Sequence, residues 1–300
     1  TGTINHTLTI SDNTITTADG SGITAYDGAI VVAERNTISG AAEGSGFGIR
    51  SSTVTANSNI IGPIGGWNGL WIYGTSDVVA ENNTIQDTAK EAVLIGEYHY
   101  LDQGWNVPTP TAARLYLANN QISNNTGTCN SQMYGGDFPC PAIHVFMSSA
   151  TLYDNTVTNN GGDGMRIKAS IVNAQRNTIE VSGFAANVSL FDDNYGNKYG
   201  SIAYFSENTY TNATQVYNIT ESRVTVQSEF IPDAGGNELY PVQLRWLGPE
   251  CPYVLDECLQ VPPTAIMPPA FMPLALEVVE NSTQDVTLEP RSVRQNATFV

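Results

Sequence analysis

Positive charge is scarce in this chain. Twelve Lys and Arg stand against 29 Asp and Glu, for a formal net charge of −17. Such a chain repels phosphate backbones and anionic lipid, which argues against nucleic acid and membrane surfaces as partners. An acidic polysaccharide is repelled too, except at a local basic patch or through a bridging cation. Long apolar runs are missing: none reaches the length of a membrane span, so no membrane insertion is expected. Signal-peptide character is missing from the first residues. The chain opens in strand-like sequence, "TGTINHTLTI", and closes in "RQNATFV", which reads as a processed chain or a fragment of a longer surface protein. Convincing helical periodicity is also missing; "DTAKEAVLIG" (87–96) is the nearest approach, and its Val-Leu-Ile aligns with strand positions elsewhere.

Cysteine is limited to four residues in two close pairs, Cys129/Cys140 and Cys251/Cys258, with no CxxC spacing. Histidine occurs three times, too rarely to complete a Cys/His zinc site. Two short-loop disulfides are the simpler reading, and they imply an oxidising, extracellular or cell-surface location. Eight N-x-S/T sequons point the same way: Asn5, Asn82, Asn124, Asn187, Asn212, Asn218, Asn281 and Asn296. A chain this rich in Asn, Ser and Thr yields about five by chance, so they support glycosylation only weakly.

What the chain has in abundance is a repeated asparagine before a β-branched pair. "DNTI", "ERNTI", "ENNTI", "DNTV", "QRNTI" and "SENTY" recur along it. With Asn59 and Asn120 the marker falls at Asn13, Asn36, Asn59, Asn83, Asn120, Asn155, Asn177 and Asn208, in steps of 23, 23, 24, 37, 35, 22 and 31. The long steps equal one period plus insertions of about 14, 12 and 8 residues. Ahead of the asparagines lie apolar pairs such as Val31/Ala33 and Leu115/Leu117, and earlier still alternating segments such as "GLWIY" (69–73), "AIHVF" (142–146), "GMRIK" (164–168) and "NVSLF" (187–191). Alternation in runs this short predicts half-buried strands.

Three short strands per period of about 23 residues resemble a right-handed parallel β-helix of the pectin-lyase-like superfamily. The resemblance covers roughly residues 5–230 and rests on period and pattern. It implies an all-β fold of about eight or more coils, stacked at the strand spacing into a rod about 40 Å long. The asparagine is expected to point inward beside a sharp corner, adopting the left-handed backbone itself. Its amide would join a ladder running from coil to coil. After about residue 231 the pattern gives way to Pro-rich sequence. Residues 1–230 are therefore read as the β-helix, and 231–300 as a cap or linker, or the start of a further β module.

The three insertions, near 97–111, 127–141 and 192–200, border one strand ladder. Read by parity, one outward column runs through Trp71, Leu94, His144, Arg166 and Ser189, and the next through Tyr73, Gly96, Phe146, Lys168 and Phe191. Trp71, Tyr73, His144, Phe146, Arg166 and Lys168 are thus expected on an open face, joined by Tyr98 and Trp105 from a loop. Aromatics with a few polar groups suit the stacking of sugar rings. The alternative is that the loops fold down and bury the aromatics as a satellite core.

Enzymes of the resembled superfamily cleave acidic polysaccharides on this face. β-Elimination needs a base and a cation at the uronate carboxylate, for which Arg166 or Lys168 is the candidate base or carboxylate clamp and His144 the candidate base or acid; Asp163, Asp192 and Asp193 are candidate oxygen ligands for Ca2+, and Asp163 with Asp192 or Asp193 the candidate hydrolytic pair. No catalytic signature accompanies these residues, and no metal or other cofactor has a motif. Three functions are compatible with the sequence. One is an extracellular surface module with a structural, adhesive or assembly role that binds glycan; another is a polysaccharide lyase or glycoside hydrolase. The third is a filament or sheath subunit that pairs by strand addition with copies of itself or with neighbouring surface domains.

Overall fold

The computed structural model describes residues 6–17, 19–96, 113–129, 138–181, 183–189, 191, 192, 198–213, 215–219, 222–227, 229–231, 237–239 and 242–244. Their strands form three long sheets of 10, 10 and 8 strands, each ordered so that neighbours come from successive coils. The first sheet runs from Thr7–Ser11 through Ile30–Glu34, Thr53–Asn57 and Asp77–Glu81 onward; the second begins Thr14–Thr17, Thr37–Gly40, Ile60–Ile64. The third comprises Ile23–Tyr26, Phe47–Arg50, Leu70–Tyr73, Val93–Ile95, Ile143–Phe146, Met165–Lys168, Phe184–Ser189 and Gln215–Ile219. Pairing between successive coils is parallel. This is the parallel β-helix expected from the period.

The core is a set of columns. Ile38, Ile61, Ile85, Ile122, Val157 and Ile179 stack along the second sheet, and Ile49, Ile72, Ile95, Val145, Ile167 and Val188 along the third. β-branched residues dominate because each rung lies directly above a similar one, and branched side chains pack well on a pleated surface. Where the chain turns into the third sheet there is little room. A Cβ on Gly69 would strike the Ile85 side chain and the Ala92 carbonyl.

The asparagine ladder is continuous from Asn13 to Asn208. Each Nδ2 donates to the Oδ1 of the next rung at 2.9–3.1 Å. The same Nδ2 donates backward to a main-chain carbonyl, as Asn83 does to Ala56 at 2.9 Å. Each Oδ1 also accepts the backbone N–H of the preceding asparagine, so both donors and both acceptor sites of a middle amide are used.

The left-handed backbone, however, belongs to the residue before each asparagine. Asp12, Arg35, Ser58, Asn82, Asn119, Asp154, Arg176 and Glu207 have φ of 53–60°. Asparagine's own tolerance of that conformation is therefore not why it recurs; its two-donor, two-acceptor amide is. The corner residue is free to vary because its side chain faces out, where Arg35 pairs with Asp12 at 2.7 Å and Arg176 with Asp154 at 2.6 Å.

Other corners carry shorter ladders. Ser148, Ser170, Ser201 and Ser222 pass backbone N–H to hydroxyl in sequence, and Thr88, Asn125 and Asn160 do so through amide oxygens. At the C-terminal end the pairing changes. Asn237–Leu239 and Val242–Leu244 join Glu229–Ile231 and Arg223–Gln227 antiparallel. The Pro-rich segment, with Cys251 and Cys258, lies outside the described residues.

Asn83→Asp replaces a double donor with oxygen facing two acceptors, the Asn120 Oδ1 and the Ala56 carbonyl. We expect a loss of about 3 kcal/mol or more in folding stability, since each orphaned buried group costs about 1–3 kcal/mol. The exposed neighbour Gln121→Ala should stay within about 0.5 kcal/mol of the parent. Urea unfolding followed by β-sheet circular dichroism checks both.

Candidate functional site

The outer face of the third sheet gathers most of the residues singled out by sequence. Register places Trp71, Leu94, His144, Arg166, Asn187 and Asn218 in one column. Phe146, Lys168 and Ser189 stand in the next. Here the expected register is corrected by two residues. Asn187, not Ser189, follows Arg166, because "AANVS" (185–189) rather than "NVSLF" continues the sheet, with Ala186 and Val188 inward. A slip of two preserves inward and outward parity, so alternation alone does not reveal it.

The open face expected for the middle coils is also corrected. His144, Phe146 and Tyr73 are buried, while Trp71, Arg166 and Lys168 are half-buried. The second insertion accounts for part of this. Its ends, Thr128–Cys129 and Phe138–Pro139, form a small antiparallel ladder closed by the Cys129–Cys140 disulfide. The Phe138 ring lies 4.2 Å from the Arg166 guanidinium. The third insertion starts from a second antiparallel pair, Phe191–Asp192 with Lys198–Tyr199. Tyr98, Trp105 and Asp193 lie outside the described residues, as does the side chain of Asp192.

Two clusters result. The first is aromatic: Trp67 and Trp71 have ring centroids 5.2 Å apart, Trp71 and Tyr73 stack at 4.5 Å, and the Lys90 ammonium stands 5.5 Å from the Trp67 ring. Trp67 and Trp71 remain half-exposed. Sequence reasoning missed Trp67, although "WNGLWIY" (67–73) places it beside the corner into the strand that carries Trp71 and Tyr73.

The second cluster is polar and grows from a corner column. Ser21, Ser45, Asn68, Glu91, Pro141, Asp163 and Phe184 occupy equivalent positions just before the third sheet. In this column the backbone N–H of one coil donates to the side chain of the coil before it, as Ser45 does to Ser21 and Phe184 to Asp163. Glu91 is the exception, because the next residue in the column is Pro141, which has no N–H. Its buried carboxylate instead accepts from Asn68 Nδ2 at 2.9 Å and contacts His144 Nδ1 at 3.3 Å. Burial holds His144 below the usual imidazole range, outweighing the pull of Glu91, with Arg166 and Lys168 pushing the same way. Burial alone would raise Glu91, but the His144 contact and the Asn68 amide hold it below the usual carboxylate range. The pair is therefore an ionised Glu91 accepting the Nδ1–H of a neutral His144.

Asp163 accepts from Arg166 at 2.8 Å, from the Phe184 N–H and from Asn187 Nδ2, both at 3.2 Å. That is a corner strut, with its acceptor sites committed to the fold. The calcium and carboxylate-pair roles expected for Asp163 thus meet a residue bound to a guanidinium. Burial, then the neighbouring Arg166, pushes the Lys168 ammonium below its ordinary range. Glu91 also lies beside the Cys129–Cys140 disulfide, with a carboxylate oxygen within 4.8 Å of both sulfurs, which are bonded to each other.

Among the sequons, Asn82, Asn124 and Asn212 are exposed, each with left-handed backbone. Asn187 and Asn218 are half-buried in the third sheet, where Asn218 Nδ2 donates to Asn187 Oδ1 at 3.4 Å. Asn5, Asn281 and Asn296 lie outside the described residues. No helix among the described residues is long and apolar enough to cross a membrane.

The family model described as the right handed beta helix region matches residues 2–137. No curated protein matches the chain. Among solved structures, ORF18 of Geobacillus virus E2 is 10% identical with a TM-score of 0.45, covering 79% of this chain and 44% of that one. The A-module of mannuronan C-5 epimerase AlgE4 from Azotobacter vinelandii is 15% identical with a TM-score of 0.41, covering 75% and 55%. The catalytic domain of a GH87 alpha-1,3-glucanase, solved with nigerose, is 12% identical with a TM-score of 0.44, covering 70% and 42%. The chain thus spans about half the length of the structures it matches. Its fold is the right-handed parallel β-helix.

The Glu91–His144 pair predicts a pH dependence. A folded-state His144 below its unfolded value binds its proton less tightly than the unfolded chain does. Its contribution to stability is complete above the unfolded pKa of about 6.5 and is lost as pH falls below it, at up to about 1.4 kcal/mol per pH unit. Glu91, also lowered, adds a loss of the same sign at lower pH. His144→Asn keeps an N–H donor toward Glu91 but cannot titrate. Thermal melts at pH 7 and pH 5 should show a larger drop for the parent than for His144→Asn.

Proposed function

We propose that this right-handed parallel β-helix is an extracellular or cell-surface module that binds glycan on the outer face of its third sheet. The observation that carries the reading is the half-exposed pair of Trp67, at the corner, and Trp71, on the strand that follows it, backed by Tyr73 and flanked by Lys90. Indole faces offer sugar rings a flat apolar platform, and a strand holds them at little entropic cost. Lys168, next to the Arg166–Asp163 ion pair, brings a cation to the same face of an acidic chain, a local exception to its repulsion of anionic polymers. The Cys129–Cys140 disulfide supports an oxidising location, and N-glycans at Asn82, Asn124 and Asn212 would stand on corners rather than in the third sheet.

Tryptophan fluorescence titrations with neutral gluco-oligosaccharides and with oligogalacturonate test this. Trp71→Ala should weaken binding of whichever sugar binds by about tenfold or more, the scale of about 1–2 kcal/mol for an aromatic contact. Lys168→Met should weaken the uronate alone. If neither sugar binds at millimolar concentration, or Trp71→Ala leaves binding unchanged, the reading fails.

A second reading, elimination on a uronate polymer, is favoured by one observation. The ammonium of Lys168 is pushed below its ordinary range by burial and by Arg166, the direction that favours a base. It predicts an unsaturated uronate product from polygalacturonate or alginate, lost in Lys168→Met. A full time course without that product counts against it.

A further inference from the structure

The outer face of the second sheet differs from the other two in its lack of charge. From Thr14–Thr17 to Thr209–Thr211 its strands lie in parallel register over eight rungs. One outward column holds Thr14, Thr37, Thr84, Thr156, Thr178 and Thr209, all exposed or half-exposed. Ile60 and Gln121, both exposed, fill the two remaining rungs. The neighbouring column begins with Thr16 and Ser39, whose hydroxyls lie 3.5 Å apart, and includes Thr158 and Thr211. Among the described residues, the one charged side chain in these two columns is Glu180, whose carboxylate accepts from Asn212 Nδ2 at 2.8 Å. By contrast, strands of the first sheet carry Glu34, Asp77, Glu81 and Arg114, and those of the third carry Arg50, Arg166 and Lys168. We propose that this uncharged face is a self-association surface, on which two copies of the chain stack second sheet against second sheet in a weak, reversible, two-fold dimer.

Charge selects the partner. Each copy carries a net charge of −17, so most approaches between two copies meet like-charge repulsion. Contact through the second sheet buries no unpaired ionised group. The face is also self-complementary, as a two-fold contact requires, because both copies present the same uncharged columns. Their rungs share one spacing of about 4.8 Å, so threonines of one copy seat between those of the other along the whole sheet. Threonine suits this contact. Its β-branched side chain has little rotamer freedom to lose, and its hydroxyl both donates and accepts.

The rims of the face fit the same reading. On the side of the asparagine corner, Asp12 is paired with Arg35 and Asp154 with Arg176, so acid there is neutralised within each copy. On the other side, Asn124 and Asn212 directly follow the strands Gln121–Ser123 and Thr209–Thr211. An N-glycan on either would stand at the rim and bar a second copy. The surface is therefore open in the chain unmodified at those two sequons. Seven spacings of about 4.8 Å across strands of about four residues give a contact of roughly 900 Å2 over both copies, at the low end for specific interfaces, hence a weak dimer.

The test uses the full chain produced without N-glycosylation, in sedimentation velocity from about 5 μM to about 500 μM, a range over which a weak dimer shifts by mass action. A reversible monomer–dimer equilibrium is expected. Association should be at least about threefold tighter in roughly 300 mM than in roughly 30 mM NaCl, because salt screens the repulsion between acidic copies. A contact made by ion pairs weakens instead. Thr84→Glu with Thr156→Glu should abolish the dimer. Thr84→Lys with Thr156→Lys should abolish it too, although this pair lowers the net negative charge. Thr53→Lys with Thr55→Lys, on the first sheet, should leave it intact. Melting temperature and β-sheet circular dichroism report the folding of each variant separately. The chain glycosylated at Asn124 and Asn212 should stay monomeric. The proposal is overturned if the unglycosylated chain is monomeric throughout at high salt, or if association weakens with salt. It is equally overturned if both second-sheet variants dimerise like the parent, or if the first-sheet variant loses the dimer as they do. A monomer that instead binds an insoluble neutral polysaccharide through the same threonines overturns it as well. None of these outcomes depends on saccharide binding by the third sheet.

Discussion

The first and second sheets are registered by one hydrogen bond, the side-chain amide of one coil donating to the amide oxygen of the next. A parallel stack has no intrinsic marker of where one turn ends, and a coil that slips by two residues keeps its apolar face inward. The asparagine removes that freedom. Its Oδ1 accepts both the Nδ2 and the backbone N–H of the rung before it, as Asn120 Oδ1 does from Asn83. A slip leaves those groups buried and unpaired, at about 1–3 kcal/mol each. The ladder therefore fixes the first and second sheets at the same point in every coil, and the isoleucine two residues on falls into its column.

The third sheet has weaker register control, and this is where the candidate-site residues gather. Its corner column mixes serine, asparagine, glutamate, proline and aspartate, so no single amide pattern repeats. The insertions that carry the disulfide and the Phe191–Asp192 hairpin leave beside this sheet, not at the asparagine corner. An insertion at the asparagine corner would interrupt the ladder; an insertion beside the third sheet interrupts only a tolerant column. Variation is thus channelled to the face carrying Trp71, His144 and Arg166.

The same contrast decides what can be read from sequence. The fold was legible because a buried amide has to recur once per coil, and Asn13 to Asn208 announces the period even across insertions. The inward columns were legible because parity survives a slip of two. The partner of Arg166 was not, because Ser189 and Asn187 share parity and only the paired strands distinguish them. The burial of His144, Phe146 and Tyr73 could be offered only as the alternative to an open face, since alternation tells which way a side chain leaves the sheet and not what later covers it. Trp67 and Glu91 escaped notice because they sit at a corner, where neither strand alternation nor the NTI motif reaches.

The corner explains why a neutral histidine and an ionised glutamate can lie buried together in an otherwise apolar stack. Glu91 accepts from the side-chain amide of Asn68, whose Nδ2 donates to both its carboxylate and its carbonyl, while the Asn68 backbone N–H donates to Ser45 Oγ. Pro141 then breaks the ladder on the other side, and a carboxylate with a vacant acceptor position in a low-dielectric site demands a donor. His144 stands in the next coil, three residues past the proline, and supplies one without adding charge. Proline, histidine and glutamate are thus one unit: removing the N–H at Pro141 creates the requirement that His144 fulfils. The Cys129–Cys140 disulfide packs beside the same carboxylate, its sulfurs within 4.8 Å of a Glu91 oxygen.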